Sequence, residues 1–260
     1  MHVAEREKLI LELMAASGFV SFRDLDQALI ASPATIRRDL ERMAQEGRIE
    51  RVRGGASLSV SGAASLKVPA HLGGVPFQEN IVRNPVQKEA IGRAAAALCQ
   101  EGEGVMIDGG STTLQMCAYL AGLNLQVLTN SLHIVSALLP QSGTRILVPS
   151  GSVFREQNII LAAAGEESMP RFYAPKLFMG AAAIGPQGLM QADVVLVAAE
   201  RRLIERADEL IVLVDSSKFA MSSGNVVCAL NEIHTIVTDS GIGDAHRAMV
   251  EEAGVKLIIA

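Results

Sequence analysis

Apolar positions recur at helical spacing through the first forty-odd residues. Ile10, Leu11 and Met14 share one face of a helix predicted over 6–16. Leu25, Ala28 and Leu29 do the same for a second, shorter helix. The preceding run Ser21-Phe22-Arg23-Asp24 has capping-box character, with Asp24 at the third helical position. Ile36, Leu40 and Met43 mark a third helix, spaced i, i+4, i+7. Ala31-Ser32 turns tightly into it. Ser32 supplies an N-cap hydroxyl, and Pro33 takes the first helical position, where a missing N–H costs nothing. Beyond Gly47 the period drops to two. Apolar and charged residues alternate to the pair Gly54-Gly55, the pattern of a small β-hairpin. Over 57–65 small and polar residues replace any period, and 69–76, bounded by prolines, extends the irregular stretch.

Helix and strand signals then alternate to the end of the chain. Helices are predicted over 87–98, 114–120, 132–139, 194–207 and 245–253. Short apolar runs over 105–107, 126–128, 145–148, 176–179, 210–214, 235–237 and 256–259 read as strands. Mainly apolar strands separated by helices imply a mostly parallel sheet covered on both faces. The expected class is α/β. The expected organisation is a winged helix-turn-helix domain over 1–56, a linker over 57–76 and an α/β domain over 77–260.

The third helix suits a DNA groove. At 100° per residue Arg38 lies nearly opposite the apolar stripe, with Thr35 and Arg42 beside it and Arg37 at the flank. Guanidinium groups make paired bonds to guanine edges and contacts to phosphates. Ser32 and Thr35 stand at the helix start, which approaches DNA first. Arg48, Arg51 and Arg53 in the hairpin are placed for backbone phosphates. Composition narrows the partner. The chain carries a formal net charge of −5. Up to Ala56 it has nine Lys/Arg against nine Asp/Glu, so the excess acid lies beyond. Positive charge is therefore local, and duplex recognition depends on docking rather than bulk attraction. With no Trp and few aromatics, a stacking platform for single strands is not expected.

Cys99, Cys117 and Cys228 lie in apolar neighbourhoods and none has metal-ligand spacing. Buried free thiols and a reducing cytoplasm are expected. The five histidines form no motif. The N-terminus lacks a signal-peptide layout, and no apolar run is long enough for a bilayer. No metal, cofactor or membrane partner is expected.

Ligands of parallel sheets bind at the C-terminal strand ends. Polar residues cluster there: Asp108-Gly109-Gly110-Ser111-Thr112-Thr113, Thr129-Asn130-Ser131, Ser150-Gly151, Gly180 and Asp215-Ser216-Ser217-Lys218. Glycines admit a ligand to the backbone, a following helix N-terminus favours an anion, and Lys218 adds positive charge. The first run lacks the Gly-Lys-Ser/Thr ending of a nucleotide P-loop. Hydroxyl donors with one lysine suit a phosphorylated polyol.

Thr35-Ile36-Arg37-Arg38-Asp39-Leu40 followed by Arg51-Val52-Arg53-Gly54-Gly55-Ala56 resembles the N-terminal signature of the DeoR family of bacterial transcriptional regulators. The resemblance continues through Lys88-Glu89-Ala90-Ile91-Gly92, 108–113, Thr129-Asn130-Ser131-Leu132 and Asp215-Ser216-Ser217-Lys218-Phe219, covering nearly the whole chain. It implies a C-terminal sensor domain similar in fold to ribose-5-phosphate isomerase and the CoA transferases. In that domain turn 110–113 takes a phosphate, and Asp108, Asn130 and Lys218 meet the sugar. Arg155 falls where the family often has a basic residue. The function implied is a repressor of a carbohydrate catabolism operon, binding operator DNA as a homo-oligomer (dimer or tetramer) and controlled by a phosphorylated sugar or aldonate effector.

Some positions depart from the family pattern. Asn80 stands where an arginine is common after Pro-Phe, and Ser150 replaces a glycine. Where Thr, then Glu and later Lys are usual, this chain has Met190-Gln191-Ala192-Asp193-Val194-Val195, with Glu200 downstream. The stretch 189–193 is similar to a branch sensing ascorbate- or aldonate-type phosphates. Two other classes fit the pattern. One is a sugar-phosphate isomerase with an appended DNA-binding domain, for which Asp108 is the strand-end base and Glu200 lies on a helix. The other is a DNA-binding domain joined to a pure oligomerisation domain.

Overall fold

A computed structural model describes residues 6–7, 9–10, 13, 19–29, 31–45, 49–52, 55–58, 75–161 and 169–260. The chain divides into two units, Met1–Pro69 and Ala70–Ala260. Most of the stretch read as a linker, 59–74, lies outside the described residues, as do Arg48 and Arg53.

In the first unit, Arg6, Glu7, Leu9, Ile10 and Leu13 are helical, followed by α1 (Phe22–Ala28) and α2 (Pro33–Gln45). The strands β1 (Phe19–Ser21), β2 (Ile49–Val52) and β3 (Gly55–Leu58) form an antiparallel sheet in the order β1-β3-β2. The β2–β3 hairpin is the expected wing. β1 is an addition: Ser21, read as a helix cap, ends a strand that pairs with Gly55. Strand β3 takes in Ser57 and Leu58, the first two positions of the stretch read as linker. The apolar stripe of α2 behaves as its spacing requires. Ile36, Leu40 and Met43 are buried against Ile10, Leu25, Leu29 and Ile49.

In the second unit the chain runs α3 (Phe77–Asn80), α4 (Pro85–Ala96), β4 (Gly104–Ile107), α5 (Thr113–Met116), β5 (Gln126–Leu128), α6 (Leu132–Leu138), β6 (Arg145–Leu147), β7 (Ser152–Phe154), β8 (Ile159–Leu161), β9 (Ala174–Met179), β10 (Ala183–Gly185), β11 (Gly188–Gln191), α7 (Val194–Ile204), β12 (Ala207–Leu213), β13 (Asn225–Cys228), β14 (Thr235–Thr238), α8 (Asp244–Glu252) and β15 (Lys256–Ile259). Seven strands make one sheet in the order β15-β14-β12-β9-β4-β5-β6, every pair parallel. Alternate residues feed two cores. Val105, Ile107, Ile211 and Leu213 face Ile91, Ala95 and Met116. Met106, Leu210 and Val212 face Leu203 and Val250 on the other side. Burial on both faces is why these strands read as continuous apolar runs.

Two small antiparallel pieces were not anticipated: the β7–β8 hairpin and a three-stranded sheet in the order β10-β11-β13. Their strands are three or four residues long, too short for a periodic signal. The β10–β11 turn depends on Gly188, at φ 115°. A Cβ there would sit 2.0 Å from the Cys228 carbonyl oxygen. Cys117 and Cys228 are buried and Cys99 half-buried. Burial pushes Cys99 and Cys117 up to about 12 and Cys228 to about 11, so the thiols stay protonated.

Candidate functional site

From β4 the chain steps outward through β5 and β6. It then returns to the other side of β4 as β9 and continues through β12, β14 and β15. The strand order therefore reverses between β4 and β9, and a doubly wound sheet opens its ligand crevice at such a point. The loops that leave these two strands meet through glycines. A Cβ on Gly110 would lie 3.8 Å from the Gly180 Cα, and one on Gly180 would lie 4.0 Å from the Gly110 Cα. No side chain separates the two backbones.

Asn130, after β5, holds the first loop. Its Oδ1 accepts from the Gly109 backbone N at 3.2 Å, and its Nδ2 donates to Asp108 Oδ1 at 3.3 Å. Asp108 is buried, and burial pushes its carboxyl up to about 6 against the hydrogen bonds from Gly109 and Asn130. Several hydroxyls expected to meet a ligand are turned inward instead. Thr113 is fully buried, its Oγ1 2.8 Å from the Asp108 carbonyl and 3.0 Å from that of Gly110. It clamps the loop. Ser131 Oγ accepts from the Ile134 backbone N and caps α6, while Thr129 Oγ1 accepts from the Ser131 N. These three residues build the rim rather than line it. Ser111 and Thr112 are also buried. A further correction concerns α5, which is only four residues long, so its dipole gives less help to an anion than expected. Ser150, Gly151 and Arg155 are exposed beside or within the β7–β8 hairpin. Arg155 has no side-chain partner among the described residues.

Positive charge enters the rim from two lysines. Lys218 follows β12, next to β9 in the sheet, and is 9% exposed. Burial pulls its ammonium below the usual lysine value, with Asp215 opposing. Lys88 was not among the expected site residues. It is 1% exposed, and its Nζ donates to the Asn80 carbonyl and lies 3.4 Å from Asn80 Oδ1. Burial lowers it to about 8; Asp215 pulls the other way, and Lys218 adds repulsion. Asn84, left-handed at φ 50°, donates to Asp215 Oδ1 at 2.8 Å. The sequence did carry a signal for Lys88: it lies at i, i+3, i+4, i+7 and i+8 with Ile91, Gly92, Ala95 and Ala96, all buried on one face of α4.

The second unit holds another buried carboxyl. Glu200, on α7, is 3% exposed. Its Oε1 accepts from Gln191 Nε2 at 2.6 Å, and its Oε2 has no partner among the described residues. Burial, then the charge of Asp108, push Glu200 well above the usual carboxylate value. Both effects favour the neutral form of the Glu200 carboxyl.

In the first unit, Ser32 Oγ accepts from the Thr35 backbone N at 3.2 Å and lies 2.8 Å from Thr35 Oγ1. Both hydroxyls thus serve the start of α2. Arg37 lies over the Phe22 ring, 5.1 Å from its centroid. Arg38 is exposed and has no side-chain partner among the described residues. Arg42, its side chain 41% exposed, is also paired within the unit. Its guanidinium binds Glu7 Oε1 (Nη2 2.7 Å, Nε 3.1 Å) and Asp39 Oδ1 (2.8 Å). Asp39 is itself buried and accepts from Arg6 at 2.7 and 3.2 Å. Burial alone would raise the Asp39 carboxyl, yet the bonds from Arg6 and Arg42 hold it below the usual value. Arg51 lies in β2 with its backbone opposite Ala56.

Among the described residues no group of His, Cys, Asp and Glu could hold a metal ion, and no helix is long and apolar enough to cross a membrane.

Residues 6–61 match the family profile of the DeoR-like helix-turn-helix domain, and residues 83–240 match that of the DeoR C terminal sensor domain. The chain is similar to the HTH-type transcriptional regulator UlaR of Shigella flexneri serotype 5b (strain 8401) and to that of Escherichia coli O1:K1 / APEC. Each is 28% identical over 259 residues, covering 99% of both chains. Among solved structures, ribose 5-phosphate isomerase A of Methanocaldococcus jannaschii overlaps 52% of this chain and 55% of its own, at 16% identity and TM-score 0.40. The eIF2B delta subunit of Chaetomium thermophilum overlaps 53% and 50%, at 16% identity and TM-score 0.38.

Proposed function

The chain belongs to the DeoR family of transcriptional regulators, and from that premise we propose that it is the repressor of a carbohydrate catabolism operon, relieved by a phosphorylated sugar or sugar acid. It acts in the cytoplasm as a homo-oligomer that offers paired helix-turn-helix units to operator half-sites. In each unit Arg38 reads base edges, while Arg37, Arg48, Arg51 and Arg53 secure the backbone. Arg6, Asp39 and Arg42 keep α2 at a fixed angle to its own unit.

The effector enters between the loops after β4 and β9. The observation that carries this reading is the bare approach of Gly110 to Gly180 at the strand-order reversal, with the buried Lys88 and Lys218 ammoniums on the same rim. A phosphate lodges against the backbone of turn 110–113, and the two lysines offset its charge. Asp108 and Asn130 face the sugar. Buried ammoniums below their usual proton affinity favour an arriving dianion, which restores what desolvation removed. Repression is relieved because the effector binds one arrangement of the oligomer better than the other.

The test is release of fluorescently labelled promoter DNA by a panel of phosphorylated sugars and aldonates, followed by anisotropy with the full-length protein. One member of the panel is expected to release DNA at a concentration where its unphosphorylated parent does nothing. Failure to bind promoter DNA at low ionic strength, or steady turnover of ribose 5-phosphate, would overturn the proposal.

A further inference from the structure

The β7–β8 hairpin forms a two-stranded sheet of its own, from strands of three residues each. A lone pair of strands is marginally stable in water, so its order depends on what it touches. One end of it touches the turn after β4. Asn130 makes the link with its side chain and its backbone at once. Its Oδ1 accepts from the Gly109 N at 3.2 Å, and its carbonyl accepts from the Ile160 N at 2.8 Å. The Leu132 N donates to the Asn158 carbonyl at 3.0 Å, and Ser131 bridges to Ile159. Strand β8 therefore lies along 130–132. There is no slack between it and Gly109, because a Cβ on Gly109 would sit 2.5 Å from Ile159 Cγ2. Moving the Gly109 backbone toward β8 pushes Ile159, and moving it away stretches its bond to Asn130.

The other end of the hairpin holds the chain as it enters the second unit. The Phe77 N donates to the Glu156 carbonyl, and Gln157 Nε2 donates to the Val75 carbonyl, each at 3.2 Å. His133, on α6, braces this contact from the side. Its ring stacks on Phe77, with centroids 4.1 Å apart and planes 12° from parallel, and its Nε2 accepts from Asn158 Nδ2 at 3.1 Å. Asn158 takes φ 53°, a left-handed conformation in which asparagine is enriched. The units divide between Pro69 and Ala70, and 75–77 are the first described residues past that division. A change at 75–77 therefore bears on the covalent path back to the DNA-binding unit.

We propose that the β7–β8 hairpin is the coupling element of the regulator. Occupancy of the turn after β4 passes through Asn130 and Ile159 to the hairpin, and through Glu156, Gln157 and His133 to the entry segment 75–77. This rests on that turn holding the effector. The hairpin has two arrangements, docked on 75–77 and released, and an effector that favours one of them shifts the balance by its differential affinity. His133 and Gln157 are positioning residues: neither is among the groups assigned to effector or DNA.

Hydrogen exchange followed by mass spectrometry on the full-length protein tests it, with inorganic phosphate, D-ribose 5-phosphate and 6-phospho-D-gluconate as probes. A probe that binds should change exchange over 108–113, 156–160 and 75–81 together, by about threefold or more, and leave β14 unchanged. In His133→Ala/Gln157→Ala the same probe should still act on 108–113 and no longer on 75–81. Probe affinity by calorimetry, and promoter affinity without probe, should both stay within about threefold of wild type. The factor by which the probe weakens promoter binding should fall below about a third of its wild-type value. A merely structural role would lower the affinities and leave that factor alone. Should the double variant not fold, Gln157→Ala, at a half-buried side chain, replaces it. A variant that keeps the full factor, or a wild type in which 108–113 responds and 75–81 does not, overturns the proposal. If no probe binds, the effector reading fails and Gly109→Ala decides the coupling without a ligand. Its Cβ pushes Ile159, so exchange over 75–81 should rise by about threefold or more, and the added change should vanish on the His133→Ala/Gln157→Ala background. Asn130→Ala, which cuts the same link, takes its place should Gly109→Ala not fold. Unchanged exchange over 75–81 in that variant overturns the proposal.

Discussion

Replacing Asp39 with alanine should loosen the recognition helix without touching the DNA-facing side chains. Asp39 is 2% exposed and accepts three hydrogen bonds, at 2.7 and 3.2 Å from Arg6 and 2.8 Å from Arg42. Removing one partner of a buried ion pair costs about 3–5 kcal/mol, chiefly because the remaining charge stays buried. Arg6 is 9% exposed, so part of that cost falls on it. The Arg42 side chain is 41% exposed and also holds Glu7, so its share falls in the range of about 0–1 kcal/mol for surface pairs. The low end, about 3 kcal/mol, is the reasonable expectation. It corresponds to roughly a hundredfold rise in the opening equilibrium of α2. Hydrogen exchange followed by mass spectrometry on the full-length protein reads this directly. Amides over 33–45 should lose protection by about two orders of magnitude, while those of β4 and β12, in the other unit, stay unchanged. Promoter affinity should fall in parallel. Unchanged protection over 33–45 with weakened DNA binding would instead make Asp39 a participant at the interface. The pH dependence has a definite sign. The folded-state value lies below the usual 3.8, so the stabilisation is present in full above that value and is lost as pH falls through the lower folded value. Protection of α2 in the wild type should therefore decay on acidification below about pH 4, and in Asp39→Ala this component should be absent.

Arg38→Ala should cost about 1–3 kcal/mol on the preferred operator and relax base preference, measured by competition between operator variants. Gly180→Ala should leave the denaturation midpoint within about 0.5 kcal/mol of wild type, since the nearest atom to its Cβ is 4.0 Å away, yet raise the effector concentration for DNA release at least tenfold. Gly109→Ala is the contrasting case: its Cβ would meet Ile159 Cγ2 at 2.5 Å, and overpacking should destabilise by about 1–3 kcal/mol in urea melts. Lys88 binds its proton less tightly folded, at about 8, than unfolded, near 10.5. The unfolded chain then holds more protons across that window, so wild-type stability should gain a rising component from pH 8 to 10.5 that Lys88→Met lacks in urea melts at several pH values. The same variant should weaken effector binding at pH 7.

The elements legible in the chain are those whose cause is local. The stripe of Ile36, Leu40 and Met43 predicts the buried face of α2 because helical geometry alone brings those positions together. The apolar runs over 105–107 and 210–214 imply a sheet covered on both faces, and so a ligand rim at their ends, because only burial on both sides tolerates such runs. Which polar groups on that rim remain available was decided by tertiary contact. Thr113, Thr129 and Ser131 have the chemistry of ligand donors, but backbone groups nearby claim their oxygens. Arg42 has the right helical phase for DNA and is taken by Glu7, 35 residues away. Helical phase puts Lys88 on the buried face of α4, but its lowered proton affinity and the raised one of Glu200 come from burial that only the fold supplies. Periodicity reports how a residue faces its own element. Hydrogen-bond partners and desolvation come from segments far along the chain, and those set the chemistry.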